Sequence, residues 1–368
     1  ERHRIDLVAW LVEHHLEMSD YAQKRDITDP ATVAAFAGMV ASPERLRMLL
    51  VLTVADIRAV GPGVWNGWKG QLLRELYSAT EASFRGGRRS DMAGVARRRQ
   101  ESMAYDARVA LSKAAPQATA WARAMEDAYF VAFSAPEHVA HADLAGRARE
   151  HGGAAAIGEI RPDRNATEIV IAARDRRALF ADLALAISAA GGNVVGARIF
   201  TSAEGEALDV FFVQNAAGSP FGTDSPRALA RLLEALERAG RGESVRAEPP
   251  RSVLAARPSP FTIAPIVTID NEASHGATVI EASGRDRPGL LEALARALSQ
   301  SGLSIQSAHI DGYGERVVDS FYVVDQAGAK LADPTGMNEL RHRITEVLDA
   351  DPLARPTHLT RARASQAR

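Results

Sequence analysis

The strongest constraint on this chain is a stretch that occurs twice. TEIVIAARDRRALFADLALAISAAGGNVVGARIF, starting at Thr167, recurs as TVIEASGRDRPGLLEALARALSQSGLSIQSAHID, starting at Thr278, at an offset of 111 residues. Arg174-Asp175-Arg176 falls on Arg285-Asp286-Arg287, Leu179 on Leu290, Gly191 on Gly302 and Ile199 on Ile310. After a one-residue gap, Asp209-Val-Phe-Phe-Val falls on Asp319-Ser-Phe-Tyr-Val. A repeat of this length is a folding unit used twice. In each copy an apolar run (168–173; 279–283) reads as a strand. Leu and Ala at three-and-four spacing then read as a helix. A glycine ends that helix, as expected just past a C-cap. Two alternating strands follow (193–201 with 206–214; 303–311 with 316–324), then a second helix (226–239; 337–349). A short last strand would complete βαββαβ, the ferredoxin-like arrangement. Its helices cover one sheet face, and a second copy is the natural partner for the other.

Around the repeat the chain divides by composition. Residues 1–150 read as helical, with charged and apolar residues mixed and few β-branched runs. Residues 151–165, rich in Gly, Ala and turn formers, read as a connector. Pro249, Pro250, Pro258, Pro260 and Pro265 fall within 246–267 and suit an extended linker. The expected domains are 1–150 (helical), 166–248 (first unit), 249–276 (proline-rich linker) and 277–360 (second unit). The arginine-bearing end, 353–368, and the arginine-rich stretch 85–99 read as solvated segments. The fold class is α + α/β. The 368 residues contain no cysteine, which excludes disulfides, thiolate metal sites and a cysteine nucleophile. A net charge of −2 argues against a general nucleic-acid binder. The longest apolar run, Met48–Ala55, is far short of a membrane span. No signal peptide opens the chain, so a cytoplasmic location is expected, with a longer parent polypeptide.

Three places in the helical region carry candidate chemistry. His14 and His15 are adjacent, and His15 could serve as a metal ligand or general acid/base. Asp56 lies in an apolar stretch, where a carboxylate calls for a cation, an ion pair or a cap. Trp65-Asn66-Gly67-Trp68-Lys69 precedes a helix, and its tryptophans suit a core. In the repeat, the turn Asp286-Arg287-Pro288-Gly289-Leu290 carries the most specific chemistry. Asp286 can cap a helix start, Pro288 fits the first turn, and Gly289 allows close backbone approach. Free N–H groups at a helix start suit a carboxylate. The turn has the shape of a small amino-acid site.

Asp-Arg-Pro-Gly-Leu between strand and helix, then Gly-x-x-Ile and a hairpin, resembles the ACT domain, a small amino-acid-binding regulatory module. The first copy, with Asp175-Arg176-Arg177-Ala178-Leu179, lacks the Pro-Gly but keeps Asn193 where the family often places a polar ligand contact. The second copy has Ser304 there. If the copies pair side by side, the turn 286–290 is expected to face Asn193. Otherwise each copy pairs with another chain.

WLVEHHLEMS, RDITDP, LLTVADI, WNGWKGQLLRELY, Ala128-Tyr-Phe and Pro136-Glu-His-Val-Ala-His141 resemble, in order, the second half of the HD hydrolase domain of the bifunctional PII uridylyltransferase/uridylyl-removing family. Tandem ACT domains follow there too. The resemblance implies a nitrogen-status sensor. Such enzymes add UMP to the PII signalling protein when glutamine is low and hydrolyse it off when glutamine is high, reading glutamine through the ACT domains. It implies Mg²⁺ or Mn²⁺ as cofactor, with Asp56 and His15 as metal ligands and His14, His15 and Asp56 as catalytic residues. It also implies Asp175, Asn193, Asp286, Arg287, Pro288, Gly289 and Leu290 as glutamine contacts. The family's early His, its His-Asp doublet and its nucleotidyltransferase signature have no match here. They would precede residue 1, so this piece alone is expected to be inactive. Self-association through the ACT units is a further expectation. Two alternatives remain: a tandem-ACT amino-acid sensor without catalysis, and a relative of the HD-ACT guanosine tetraphosphate hydrolases.

Overall fold

The computed structural model describes residues 2–25, 27, 29–60, 65, 67–85, 92–243, 263–274, 276–287, 289–313 and 316–350. The expected linker, except for 263–274 and 276, the tail from 353, Asn66 of the tryptophan motif and Pro288 lie outside the described residues. So do the side chains of 85–99. The first part is helical: α1 (Arg2–Glu13), α2 (Glu17–Lys24), α3 (Pro30–Val40), α4 (Pro43–Val60), α5 (Gly67–Arg85), α6 (Met92–Ala114), α7 (Thr119–Ala124), α8 (Asp127–Ala132) and α9 (Ala135–Glu150). Local chemistry sets several starts. Asp29 accepts from Ala31 N–H (2.8 Å) ahead of Pro30, and Glu137 accepts from Ser134 N–H (2.6 Å) ahead of α9.

The repeat units follow as β1 (Ala154–Arg161), β2 (Ala166–Arg174), α10 (Leu179–Ala189), β3 (Asn193–Thr201), β4 (Glu206–Gln214) and α11 (Pro226–Gly240), then β5 (Ile266–Asp270), β6 (Thr278–Arg285), α12 (Leu290–Gln300), β7 (Ser304–Tyr313), β8 (Arg316–Val324) and α13 (Pro334–Asp349). The ferredoxin-like class holds, but its extra strand precedes each unit instead of following it. β1 pairs antiparallel with β2, and β5 with β6. Residues 154–161, expected within a connector, are therefore a sheet edge, and β5 occupies part of the expected linker. The physical reason is that Ala154–Ala156, at the sheet edge, are buried against the helices on its two faces, which the glycine-and-alanine composition did not announce.

The two units pair side by side. Their strands form one eight-stranded sheet in the order β1-β2-β4-β3-β7-β8-β6-β5. At the seam Ala197 lies opposite Ala308, its own mate at the 111-residue offset, flanked by Gly196–His309 and Arg198–Ser307. A strand that meets its repeat mate in this exchanged register sits on a local pseudo-two-fold axis. The helices α10 to α13 cover one face of the sheet, and a single apolar core runs beneath them through both units.

The other face differs from the sequence expectation. Over the first unit it is covered by the helical region, not by a second copy. Phe200, Leu208, Val210 and Phe212 join one core with Tyr129, Phe130, Leu144 and Trp121. The alternation of β4 explains this: one set of its residues faces α10 and α11, and the other faces the helical region. Tyr129 sits at the centre, fully buried, with ring contacts to Phe133, Phe200, His138 and His141. Charged pairs flank it: Glu75 of α5 lies 3.6 Å from Arg198 and 3.5 Å from Arg164. A second link reaches the other unit, where Ser274 Oγ donates to the Asp29 carboxylate.

Two histidines in this interface contribute stability that acid removes. Burial lowers the pKa of His138, and lowers that of His141 to about 4. An unfolded histidine titrates near 6.5. Below that pH the unfolded chain takes up protons that the folded chain refuses, so stability is full above pH 6.5 and lost as pH falls toward 4. Each histidine should contribute a slope of up to about 1.4 kcal/mol per pH unit there. On going from pH 7 to pH 5, the urea midpoint of His138→Leu should rise relative to that of the unsubstituted chain, because the variant lacks one of these acid-sensitive groups.

Candidate functional site: two clefts beneath the repeat turns

Each unit passes from its central strand into its first helix through a short turn. In the first, β2 ends at Arg174 and α10 starts at Leu179, with Ala178 left-handed (φ 62°). In the second, β6 ends at Arg285 and α12 starts at Leu290, with Gly289 left-handed (φ 79°). Glycine adopts this conformation freely, whereas alanine is strained there. No side chain caps either helix start. The expected cap by Asp286 is therefore corrected: Gly289 takes the cap position and has no side chain to accept from the helix start, while the Leu290 N–H donates to Arg287 O (3.1 Å). Desolvation raises the Asp286 carboxyl above its usual range, and a hydrogen bond from the Arg287 backbone opposes this. Asp175 behaves alike: desolvation raises it, and the Arg176 backbone and charge oppose.

The turn arginines are anchors. Arg287 Nη2 donates to Val347 O of α13 (2.8 Å), and Arg176 Nη2 donates to Ala239 O of α11 (2.7 Å). Both reach the carbonyl end of their unit's second helix, where a cation is favoured. Arg287, expected as a ligand contact, thus has one nitrogen committed to holding its turn.

Each turn opens on a cleft shared with the other unit. The larger, about 540 Å³, is lined by Asp286, Arg287 and Gly289–Glu292 on one side, and by Gly191, Gly192, Asn193 and Asn215 on the other. Side-by-side pairing has brought Asn193 to the turn 286–290, as the resemblance to the ACT domain implied. The smaller, about 270 Å³, is its counterpart across the pseudo-two-fold axis. It joins Asp175–Ala181 to Ser304, Gln306 and Gln326.

The floor of each cleft holds an acid that sequence reasoning passed over. Asp209 of β4 lines the smaller cleft and is 2% exposed, while Asp319 of β8 lines the larger and is 1% exposed. Asp209 Oδ1 has no hydrogen-bond partner among the described residues. Burial, with Asp175 adding negative charge nearby, pushes its carboxyl up to about 8. The signal was present in the repeat: an aspartate inside a strand of apolar residues, in both copies.

In the helical region, His14 Nδ1 lies 3.0 Å from Trp10 O, and the two rings stack. His15 Nδ1 lies 2.8 Å from Val12 O. Asp56 is exposed on α4. The described residues contain no group of three or more His, Asp or Glu side chains placed to hold a metal ion. A divalent ion needs more donors than Asp56 and His15 supply, so these residues do not fit a complete metal centre. The His138–His141 segment, part of the motif series, belongs to the core. Of the tryptophan motif, Trp65 packs under Arg58 and against Gly70. No described helix is long and apolar enough to cross a membrane.

Residues 278–334 match the ACT domain family. Along its whole length the chain is 63% identical to the bifunctional uridylyltransferase/uridylyl-removing enzyme of Caulobacter vibrioides (strain NA1000 / CB15N), covering 40% of that protein. It is 64% identical to the enzyme of the same name from Phenylobacterium zucineum, covering 39%. Over 96% of the chain it is 42% identical to the one from Erythrobacter litoralis, covering 38%. The chain thus spans about two fifths of the length of these relatives.

Proposed function

We propose that this chain, similar from end to end to bifunctional uridylyltransferase/uridylyl-removing enzymes and carrying an ACT domain, is the glutamine-sensing portion of such an enzyme. Its target would be the PII signalling protein, to which UMP is added and from which it is removed in the cytoplasm. The observation that carries this reading is the larger cleft, which unites the turn at Asp286–Leu290 with Asn193 of the other unit. The N–H groups beyond Leu290 in the first turn of α12 would take the ligand carboxylate. The Asn193 side chain offers N–H donors and a carbonyl acceptor, which match a carboxamide. Because the cleft spans the seam between units, a ligand there bears on β3, and β3 carries Phe200 and Arg198 into the interface with the helical region. That is a physical route from cleft to helices, provided the bound and free states differ in this contact.

Isothermal titration of the folded chain should show binding of glutamine, with glutamate and asparagine weaker. No heat with glutamine would overturn the reading. Hydrolysis is a property of the longer protein in this proposal, with Mg²⁺ or Mn²⁺ held by Asp56, His15 and donors beyond the described set. Given uridylylated PII and Mn²⁺, the 368-residue chain should release UMP at no more than background rate. Release at the rate of the longer enzyme would show that the described residues suffice.

A further inference from the structure

The helical region lies across the seam between the two units, and it holds them in different ways. The seam, Gly196–Arg198 against Ser307–His309, is the shortest strand pairing of the described sheet. On the first unit the hold is apolar. Leu208, Val210 and Phe212 are buried in one core with the helical region, and Arg149 of α9 grips Glu206 through two nitrogens at 2.6 and 2.7 Å. At the matching strand positions the second unit carries Val318, Ser320 and Tyr322. Tyr322 does not join the helical core. It packs with Val279 and Val324, and Ala273 of the loop between β5 and β6 packs against them.

That loop is a pad braced from within the second unit. Lys330 Nζ donates to Asn271 O (2.8 Å) and to Ser274 O (2.6 Å), and Asn271 Nδ2 donates to Leu331 O (2.8 Å). From the pad Ser274, 4% exposed, reaches the start of α3 and donates to Asp29 Oδ2. The other oxygen of Asp29 caps α3 at the Ala31 N–H (2.8 Å). One carboxylate therefore has two separate tasks, one for its own helix and one for the second unit. Alongside, α2 lies on β7 and β8. Parting the apolar hold on the first unit would expose large side chains to water. A hydrogen bond at a polar contact is exchanged for one to water at small net cost. Rotation of one unit against the other about the short seam therefore gives way at Ser274–Asp29 before it gives way over the first unit.

We propose that the Asp29–Ser274 contact is a releasable latch: the helical region is strapped firmly to the first unit and reversibly to the second, and rotation at the seam frees the α2–α3 corner. A ligand that draws the turn 286–290 toward Asn193 drives that rotation. This coupling half rests on the larger cleft being the glutamine site.

The chain has no cysteine, so paired spin labels attach only where cysteines are introduced. One label goes on α4 at the exposed position of Arg47→Cys. Its partner goes on α13 at exposed Glu339→Cys or, as the reference pair, on α11 at exposed Arg231→Cys. In Ser274→Ala and in Asp29→Ser the Arg47–Glu339 distance should lengthen by about 3 Å or more, while the Arg47–Arg231 distance stays as it is. Serine is a competent cap, so Asp29→Ser keeps α3 and only shortens the arm. It also covers the loss, in Ser274→Ala, of the bond from the Ala277 N–H (3.3 Å) inside the pad. Unchanged distances in both variants would overturn the latch, and so would equal lengthening of both label pairs. Glutamine should lengthen the Arg47–Glu339 distance of the unsubstituted chain. Both variants should bind it at least about 3-fold more tightly, because the cost of opening is already removed. Unchanged affinity in both would overturn the coupling and leave the latch. No heat with glutamine in the unsubstituted chain would overturn the larger-cleft reading and the coupling with it, and the labelled distances would still decide the latch.

Discussion

Gly289→Val is expected to abolish detectable glutamine binding while leaving the chain folded. Two effects combine. Gly289 has φ +79°, and a β-branched side chain in that region costs on the order of 1–3 kcal/mol. A Cβ added at Gly289 would meet nothing within 4 Å, because the position opens on the larger cleft. The valine side chain therefore occupies the space a ligand would fill. The reason differs from the close backbone approach that the turn sequence suggested, since nothing crowds the glycine in the ligand-free chain. Gly289→Ala separates the two effects: Ala178 holds the same conformation in the first unit, so alanine should fold readily and weaken binding by about 10-fold or less. The measurement is titration calorimetry beside thermal unfolding. Glutamine binding to Gly289→Val at wild-type affinity would remove this turn from the site.

Asp209→Asn is expected to stabilise the chain, and more so in alkali. The folded carboxyl titrates near pH 8, against 3.8 ordinarily. Between those values the folded chain holds a proton that the unfolded chain has released. Stability is therefore present below pH 4 and lost as pH rises toward 8, by ~1 kcal/mol per pH unit. The cause is burial first, then the negative charge of Asp175. Asparagine has the same shape, carries no charge, and removes the whole slope. Thermal unfolding should show the variant only slightly ahead of wild type at pH 5 and several degrees ahead at pH 8. A gap that does not widen with pH would mean that Asp209 has a compensating cation in the folded chain. A stabilising substitution at a cleft wall is what a functional site would show, since an acid kept there against its own burial cost serves something other than the fold.

Much of the fold was legible in advance because it depends on local rules. The three-and-four spacing of Leu290, Leu294, Ala297 and Leu298 marks a buried helix face, and these four are buried. The alternation of 206–214 marks a strand with two faces. The edge strands were missed. Ala154-Ala-Ala carries a weak strand signal, and pairing with β2 decides it. Ile266-Val-Thr-Ile is β-branched throughout, a strand signal that the neighbouring prolines masked, and it pairs with β6. The turn at 286–290 was legible in the sequence, but its facing of Asn193 came only from the resemblance to the ACT domain and depended on side-by-side pairing, which the β3–β7 contact decides. The arginines of the turn misled: a cation beside a candidate ligand cleft looks like a contact until the helix end it fastens is seen.

What the sequence by itself determined is the doubled unit, its helices and central strands, and the glycine turn that opens a helix start toward a cleft. These follow from periodicity and backbone sterics, which act over a few residues. What only the tertiary structure decided is which surfaces meet. It placed the helical region against the sheet of the first unit, set Asp209 in the wall of a second cleft, and brought Ser274 of the second unit to Asp29. Each of these depends on residues far apart in the chain, such as Phe133 with Phe200 or Asp29 with Ser274. Burial and charge pairing there are set by what packs alongside, and no local pattern encodes that.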